Sequence, residues 1–89
     1  MLFTDATQIT QGQYEYMFDK WYENNYDESI PEEQFWFYSE CDKMFVVIDN
    51  RGNDFYVENF KNPEVAHAWL RGLGITLAMQ LDKFITENI

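Results

Sequence analysis

Residues 44–70 read MFVVIDNRGNDFYVENFKNPEVAHAWL, and this stretch decides the fold. Met44–Ile48 is apolar and rich in β-branched residues, and Phe55–Phe60 alternates between apolar and polar residues, so both predict strands. Between them, residues 49–54 (DNRGND) place Gly52 late in a tight turn, where a left-handed backbone favours glycine. The first part of the stretch therefore predicts an antiparallel hairpin.

The hairpin leads directly into a helix. Asn62, Pro63 and Glu64 predict its start, because asparagine is a good N-cap, proline fits the first turn and an acid suits the positive end of the helix dipole. Gly72 and Gly74 predict its end. The helical period places four apolar residues on its inner face: Val65, Ala66, Trp69 and Leu70.

Two further helices and one further strand flank this unit. Thr10 and Gln13 form a capping-box pattern, which predicts a helix over residues 11–24. Its apolar residues recur with helical spacing: Tyr14, Met17, Phe18, Trp21 and Tyr22. Gln34–Ser39 is rich in aromatic residues and predicts a strand. A last helix is predicted from about residue 75 to residue 88, with five residues turned inward: Leu77, Ala78, Leu81, Phe84 and Ile85.

These elements predict an α+β fold in a single domain, residues 1–89, because a chain of 89 residues is the size of one domain. The predicted order is α-β-β-β-α-α. Short links between successive strands predict a three-stranded antiparallel sheet, and we expect the helices to pack on one face of it.

The net charge restricts the class of partner. Sixteen acids against six bases give −10 at pH 7. Proteins that bind DNA or RNA neutralise phosphates with lysine and arginine, and anionic membranes attract the same side chains. The composition therefore argues against direct binding to nucleic acid or to a membrane surface. It favours a basic protein as the partner.

Catalytic and metal-binding chemistry has few candidates. Cys41 and His67 are the single cysteine and histidine of the chain, which excludes an intrachain disulfide and a Cys/His zinc cluster. Carboxylates beside Cys41 disfavour a thiolate, and His67 falls on the outer face of its helix. Residues 49–54 resemble a calcium loop only by chance, since arginine takes the third position and glycine the fourth. We expect no enzyme activity, no cofactor and no bound metal.

The sequence also lacks the marks of export or membrane insertion. Its first ten residues, MLFTDATQIT, contain no basic segment and no long apolar run. No stretch approaches the roughly 18 apolar residues of a membrane span. We expect a cytoplasmic protein.

The acids are concentrated in the first half of the chain. Residues 1–42 hold ten acids and one base, a net −9, whereas residues 43–89 hold six acids and five bases, a net −1. Glu15, Asp19 and Glu23 recur every four residues, so they follow one outer side of the first helix in steps of about 6 Å. Like charges at this spacing cost a few tenths of a kcal/mol per pair, and stability alone does not favour them.

This acidic surface is a candidate partner-binding site. Tyr16 falls on the same outer side of the helix, where an exposed aromatic ring can anchor a protein interface. The connection over residues 25–33 adds further acids and a second tyrosine. The predicted site has nine residues: Glu15, Tyr16, Asp19, Glu23, Tyr26, Asp27, Glu28, Glu32 and Glu33.

The hairpin MFVVIDNRGNDFYVENF and the helix KNPEVAHAWL, residues 44–70, resemble the corresponding part of small acidic phage anti-CRISPR proteins. The predicted order of elements extends this resemblance over nearly the whole chain. In that group, acidic side chains often occupy a basic channel meant for DNA. The resemblance therefore implies a DNA-mimicking inhibitor, located in the cytoplasm of the host cell if the chain is encoded by a phage. It assigns no individual site residue.

Charge and resemblance together give the leading hypothesis of a non-enzymatic inhibitor. It would bind a nucleic-acid-binding defence complex, either a CRISPR effector or a restriction enzyme, through its acidic surface. The alternative is a small adaptor or assembly protein that dimerises through an aromatic sheet face, with acids that serve only solubility. A third interpretation, a small hydrolase that uses paired carboxylates, would need a cleft.

Overall fold

The computed structural model describes residues 3, 5–24, 29–52 and 54–88, without the side chain of Asn24. Three helices and four strands follow one another in the order β-α-β-β-β-α-α. Their bounds are β1 Thr7–Gln8, α1 Gln11–Asn24, β2 Gln34–Ser39, β3 Met44–Asp49, β4 Tyr56–Phe60, α2 Pro63–Leu70 and α3 Ile75–Glu87. The predicted α+β class and the six predicted elements are confirmed, and β1 is an addition.

The sheet is four-stranded and mixed, in the order β1-β2-β3-β4. Strands β2, β3 and β4 form the predicted antiparallel meander, with Phe37 opposite Val46 and Val46 opposite Asn59. The prediction of a purely antiparallel, three-stranded sheet was wrong, because β1 pairs parallel to β2, with Thr7 opposite Phe35. Only two residues of β1 pair, both exposed, so no alternation of apolar residues indicates a strand there.

Helices cover both faces of the sheet, which corrects the prediction of a single covered face. Phe35, Phe37, Val46 and Ile48 pack with α1 on one side. The alternate residues of the same strands face α2 on the other side, where they form a second core cluster. Strands β2 and β3 are apolar on both faces, and such strands require two covering layers.

The capping box at the start of α1 and the glycine in the hairpin turn are as predicted. The Thr10 hydroxyl accepts a hydrogen bond from the Gln13 N–H at 3.1 Å, and the Gln13 side chain accepts one from the Thr10 N–H at 2.8 Å. This reciprocal pair is the capping box of α1. In the β3–β4 turn, Gly52 has a φ of 73°, in the left-handed region that favours glycine.

The Asn62 side chain joins α2 to α3 and does not cap its own helix. Asn62 is the N-cap residue of α2, but its side chain makes no capping hydrogen bond. Its Nδ2 instead donates to Asp82 Oδ1 at 2.9 Å and to Thr86 Oγ1 at 3.0 Å, both on α3. The two helices are therefore tied at the point where α2 begins.

Helix α3 buries much less of its apolar surface than predicted. Ala78 is buried and Ile85 packs on the α2 core cluster. The three other residues predicted to turn inward are exposed: Leu77 by 50%, Leu81 by 39% and Phe84 by 64%. The reason is that α3 packs mainly on α2, and one short helix cannot cover so wide an apolar arc.

Two further side chains differ from their predicted positions. His67, predicted on the outer face of α2, is half-buried with the edge of its ring against Phe3, centroids 6.1 Å apart. Tyr22, assigned to the inner stripe of α1, is exposed and contacts Phe18 on the helix surface. Both differences arise from positions near the border of a helix face, where a neighbour outside the helix decides burial.

None of the described helices is both long and apolar enough to cross a membrane.

Candidate functional site

Helix α1 carries the acidic face, which we define as Glu15, Asp19 and Glu23. All three side chains are exposed, as predicted. Met17 and Trp21, on the opposite side of the same helix, pack into the core cluster over the sheet. The acidic face is therefore turned directly away from the protein, and α1 occupies its side of the sheet without a second helix beside it.

The acidic face is weakly neutralised. Lys20 is the one basic residue of α1, and its ammonium lies 3.8 Å from the Glu23 carboxylate. The Glu23 side chain is largely exposed and the Lys20 side chain is 39% exposed, and ion pairs accessible to water contribute roughly 0.2–1 kcal/mol. Gln11 donates to Glu15 at 3.3 Å, and Asp19 has no hydrogen bond or ion pair within the described part of the chain. Three acids and one base leave this face with a net charge of −2.

Tyr16 stands at the border of the acidic face, also as predicted. Its side chain is 59% exposed, and Lys20 Nζ lies 5.7 Å from the centre of its ring. The ring borders a shallow groove between α1 and the β1–β2 edge of the sheet. Ile9, Met17 and Phe35 give this groove an apolar floor. An aromatic ring beside an apolar groove and an acidic helix face suits a basic side chain with a long aliphatic stem.

Tyr14 lies on the inner side of α1 and stays a neutral phenol. Burial raises its pKa, and the neighbouring Glu15 carboxylate raises it further. Its ring packs on Phe37 at 5.2 Å between centroids. The sheet side of α1 is therefore held by aromatic packing, and its charge is confined to the outer side.

Glu33 has a structural partner and borders the same groove as Tyr16. Its carboxylate accepts a hydrogen bond from the Thr7 hydroxyl at 2.9 Å, and its carbonyl accepts one from the Asn50 N–H at 3.1 Å. The side chain is half-buried. Glu33 thus ties β1 to the start of β2, a role that the sequence did not indicate.

Glu32 is exposed and lines a second pocket, where its neighbours include Asp5, Arg51 and Arg71. Arg71 pairs with Asp5 at 3.2 Å, so this pocket has mixed charge. Glu32 therefore lies outside the α1 groove, in a neighbouring pocket that Glu33 also lines. The remaining predicted site residues, Tyr26, Asp27 and Glu28, lie outside the described residues.

The other residues considered for chemistry do not form a shared site. Cys41 is exposed in the β2–β3 turn. Neither Cys41 nor His67 has a side-chain hydrogen bond to any described residue. Among residues 3, 5–24, 29–52 and 54–88, no three His, Cys, Asp or Glu side chains form a group that could hold a metal ion.

Asp49 is paired with its own turn. Burial raises the pKa of Asp49, but hydrogen bonds from Arg51 and Gln34 and the Arg51 charge outweigh that effect, and the pKa lies below its ordinary value. Arg51 donates two hydrogen bonds of 2.9 Å to the two carboxylate oxygens. This carboxylate is therefore part of the hairpin's structure and not a free acid or base.

The exposed apolar surface of α3 was missed by the sequence interpretation. A count of residues on the helix circle could have found it, because the apolar side chains of α3 cover far more than the stripe that one neighbour can bury. The predicted aromatic sheet face is in turn largely covered, since Phe35 and Phe37 are buried under α1. No family model, curated protein or solved structure matches this chain.

Proposed function

We propose that this protein is a non-enzymatic inhibitor that binds the basic, nucleic-acid-binding surface of a defence complex. The complex is a CRISPR effector or a restriction enzyme, and the acidic face of α1 takes the place of nucleic acid. The observation that carries the proposal is the outward exposure of Glu15, Asp19 and Glu23 on a helix that contains one base.

The spacing of the acids suits a site built for phosphates. One charge per helical step of about 6 Å is roughly half the linear charge density of one DNA strand, which carries one charge per about 3.4 Å. A partner that contacts alternate phosphates would meet all three carboxylates. Glu33 and Tyr16, at the groove beside this face, extend the contact area.

The way in which α1 is held favours binding. The helix connects two adjacent parallel strands, its first turn has a complete capping box, and its inner side is packed on the sheet. A surface that is already ordered loses little conformational freedom when it binds. Complementary charge would also speed association and make it sensitive to salt.

The alternative, an adaptor that dimerises through an aromatic sheet face, has less support on that surface. Phe35 and Phe37 lie under α1, and Trp36 stacks on Phe3 at 4.6 Å between ring centroids. A sheet-face dimer would require a covering element to move away. The resemblance of residues 44–70 to anti-CRISPR proteins remains an expectation that agrees with the inhibitor proposal.

The test uses two triple variants with the same change in net charge. Glu15→Gln, Asp19→Asn and Glu23→Gln together neutralise the acidic face. The matched control is a set of exposed acids outside α1: Glu40→Gln, Asp54→Asn and Glu64→Gln. Each triple variant removes three negative charges and changes the net charge from −10 to −7. A general effect of charge would act on both variants alike.

The measurement is displacement of a labelled DNA duplex from a panel of purified RNA-guided nucleases and restriction enzymes, followed by fluorescence anisotropy. The parent protein is expected to displace DNA from at least one of them, more strongly at low salt. The α1 triple variant should lose at least tenfold in affinity, or about 1.4 kcal/mol, while the control stays close to the parent. Equal losses in both variants, or no displacement from any enzyme, would contradict the proposal.

A further inference from the structure

Helix α3 presents a large apolar surface that nothing in the described structure covers. Leu77, Leu81 and Phe84 lie on one side of the helix at i, i+4 and i+7, and we call them the α3 stripe. Ile75 and Met79 are also exposed, but the helical period places them on the opposite side of α3, so they are not part of the stripe. Single exposed apolar side chains are normal on a protein surface, but three large ones along one side of a helix form a continuous apolar stripe.

We propose that a second copy of this chain covers the α3 stripe, so that the protein is a homodimer through antiparallel α3 helices. This inference is independent of the α1 proposal, since it concerns the helices on the opposite face of the sheet. The evidence is the spacing of the stripe, the ends of the helix and the distribution of charge.

The spacing of the stripe suits packing of one helix on a copy of itself. Intervals of four and three residues are those of a coiled-coil seam. In an antiparallel pair, Leu77 of one copy lies opposite Phe84 of the other, and the two Leu81 side chains meet near the twofold axis. A twofold interface of this kind is self-complementary, because each contact between a residue of one copy and a residue of the other occurs a second time with the two copies exchanged.

The ends of α3 also complement each other. Gly74, the N-cap residue, provides no side-chain cap, and the first turn holds no acid. Glu87 lies in the last turn, where the helix dipole disfavours a negative charge. The antiparallel register that joins Leu77 to Phe84 places Glu87 of one copy beside the uncapped start of α3 in the other. Each helix thus supplies the charge that the other lacks.

The distribution of charge allows two strongly acidic chains to meet at this surface. Residues 43–89, which include α2 and α3, have a net charge of −1, whereas residues 1–42 have −9. Helix α1 packs on the other face of the sheet from α2. Contact through α3 therefore joins the nearly neutral halves and keeps the two acidic faces apart.

The oligomeric state is measured by sedimentation velocity over micromolar to near-millimolar concentrations, with circular dichroism as a check of folding. The parent is expected to be a dimer that persists at high salt, since apolar contacts are not screened. Phe84→Glu should raise the dissociation constant at least tenfold. Met79→Glu, at an exposed position on the opposite side of the same helix, adds the same negative charge and should leave the dimer intact. A monomeric parent, or equal effects of the two substitutions, would overturn the proposal.

Disulfide trapping in a Cys41→Ser background tests the antiparallel direction. Gln80→Cys lies beside the middle of the stripe, so two copies should cross-link on oxidation. Glu87→Cys lies at the end of the helix, and an antiparallel pair separates the two copies of this position by nearly the length of α3. Cross-linking of both variants would indicate parallel helices, and cross-linking of neither would indicate that another surface is used. Either result would overturn the proposed interface.

Discussion

Replacing Asp82 with alanine should loosen α3 from the start of α2 and destabilise the protein by about 2–4 kcal/mol. The Asp82 carboxylate accepts hydrogen bonds from the backbone N–H groups of Lys61 at 3.0 Å and Asn62 at 2.9 Å. It accepts a third from Asn62 Nδ2 at 2.9 Å. The Asn62 side chain adds hydrogen bonds from Nδ2 to the Asp82 carbonyl at 3.2 Å and to Thr86 Oγ1 at 3.0 Å, so Asp82 and Asn62 together connect α3 to the start of α2.

The expected magnitude follows from the exposure of these groups. A hydrogen bond to a charged group contributes roughly 1.5–3 kcal/mol, so three would contribute about 4.5–9 kcal/mol if water could not replace them. Asp82 is half-buried and Lys61 is exposed, so water can satisfy part of what the substitution removes. We therefore expect the substitution to remove about half of this stabilisation, or about 2–4 kcal/mol.

Thermal unfolding followed by circular dichroism measures the effect. In a domain of this size, 1 kcal/mol shifts Tm by roughly 4–8 °C, so Asp82→Ala should lower Tm by about 10–25 °C. Asp82→Asn should lie between the parent and the alanine variant, because one acceptor oxygen remains. Gln80→Ala, exposed on the same helix, is the control and should stay within about 0.5 kcal/mol of the parent. If Asp82→Ala behaves like this control, α3 is held by the packing of Ala78 and Ile85 alone and the hydrogen bonds contribute nothing.

Three further substitutions test the core cluster over α2 and one partly buried carboxylate by the same unfolding measurement. Phe3→Ala should cost about 3–5 kcal/mol, because Phe3 is 6% exposed and stacks on Trp36; a loss under about 1 kcal/mol would show that the N-terminal segment is not part of the core. Trp69→Ala should cost less, about 2–3 kcal/mol, since this half-buried ring packs on Phe60 at the edge of the cluster; a larger loss than that of Phe3→Ala would contradict this order. Burial raises the pKa of Glu58, so the folded state holds its proton to higher pH than the unfolded chain does, and the charged form costs stability above the ordinary pKa of 4.5. Glu58→Gln should therefore increase the free energy of unfolding at neutral pH by less than about 1 kcal/mol, because solvent partly screens the group, and raise Tm slightly. It should have no effect well below pH 4.5, and an equal gain at both pH values would refute the electrostatic explanation.

Local sequence signals predicted the elements that depend on neighbouring residues. The capping box of Thr10 and Gln13 fixes the start of α1 through hydrogen bonds three residues apart. The β3–β4 turn follows from the conformational freedom of Gly52. The exposure of the acidic face and of Tyr16 follows from the helical period alone, because the inner side of α1 is strongly apolar.

Features that depend on distant parts of the chain were not predictable in this way. The pairing of β1 places Thr7 opposite Phe35, and the two exposed residues of β1, Thr7 and Gln8, show no apolar alternation that would predict a strand. The hydrogen bond from Thr7 to Glu33 depends on that pairing, so the structural role of this acid could not be seen either. Phe84 is exposed because α2 does not cover it. This depends on how the two helices pack, which the periodicity of one helix does not predict.

The parallel pairing of β1 with β2 has a consequence for the order of folding. Strands β2, β3 and β4 are joined by short turns, whereas about 25 residues separate β1 from β2. Closing this longer loop costs about 1.5 kcal/mol more in chain entropy than closing a turn of about four residues. We therefore expect the meander and α2 to form first, and the β1–α1 segment to dock late onto the exposed Phe35 and Phe37. In the native protein the same segment should open first, so the amide hydrogens of α1 should exchange with solvent faster than those of β3. The helix that carries the acidic face is then the last part to fold, and a partner bound to it would slow that exchange.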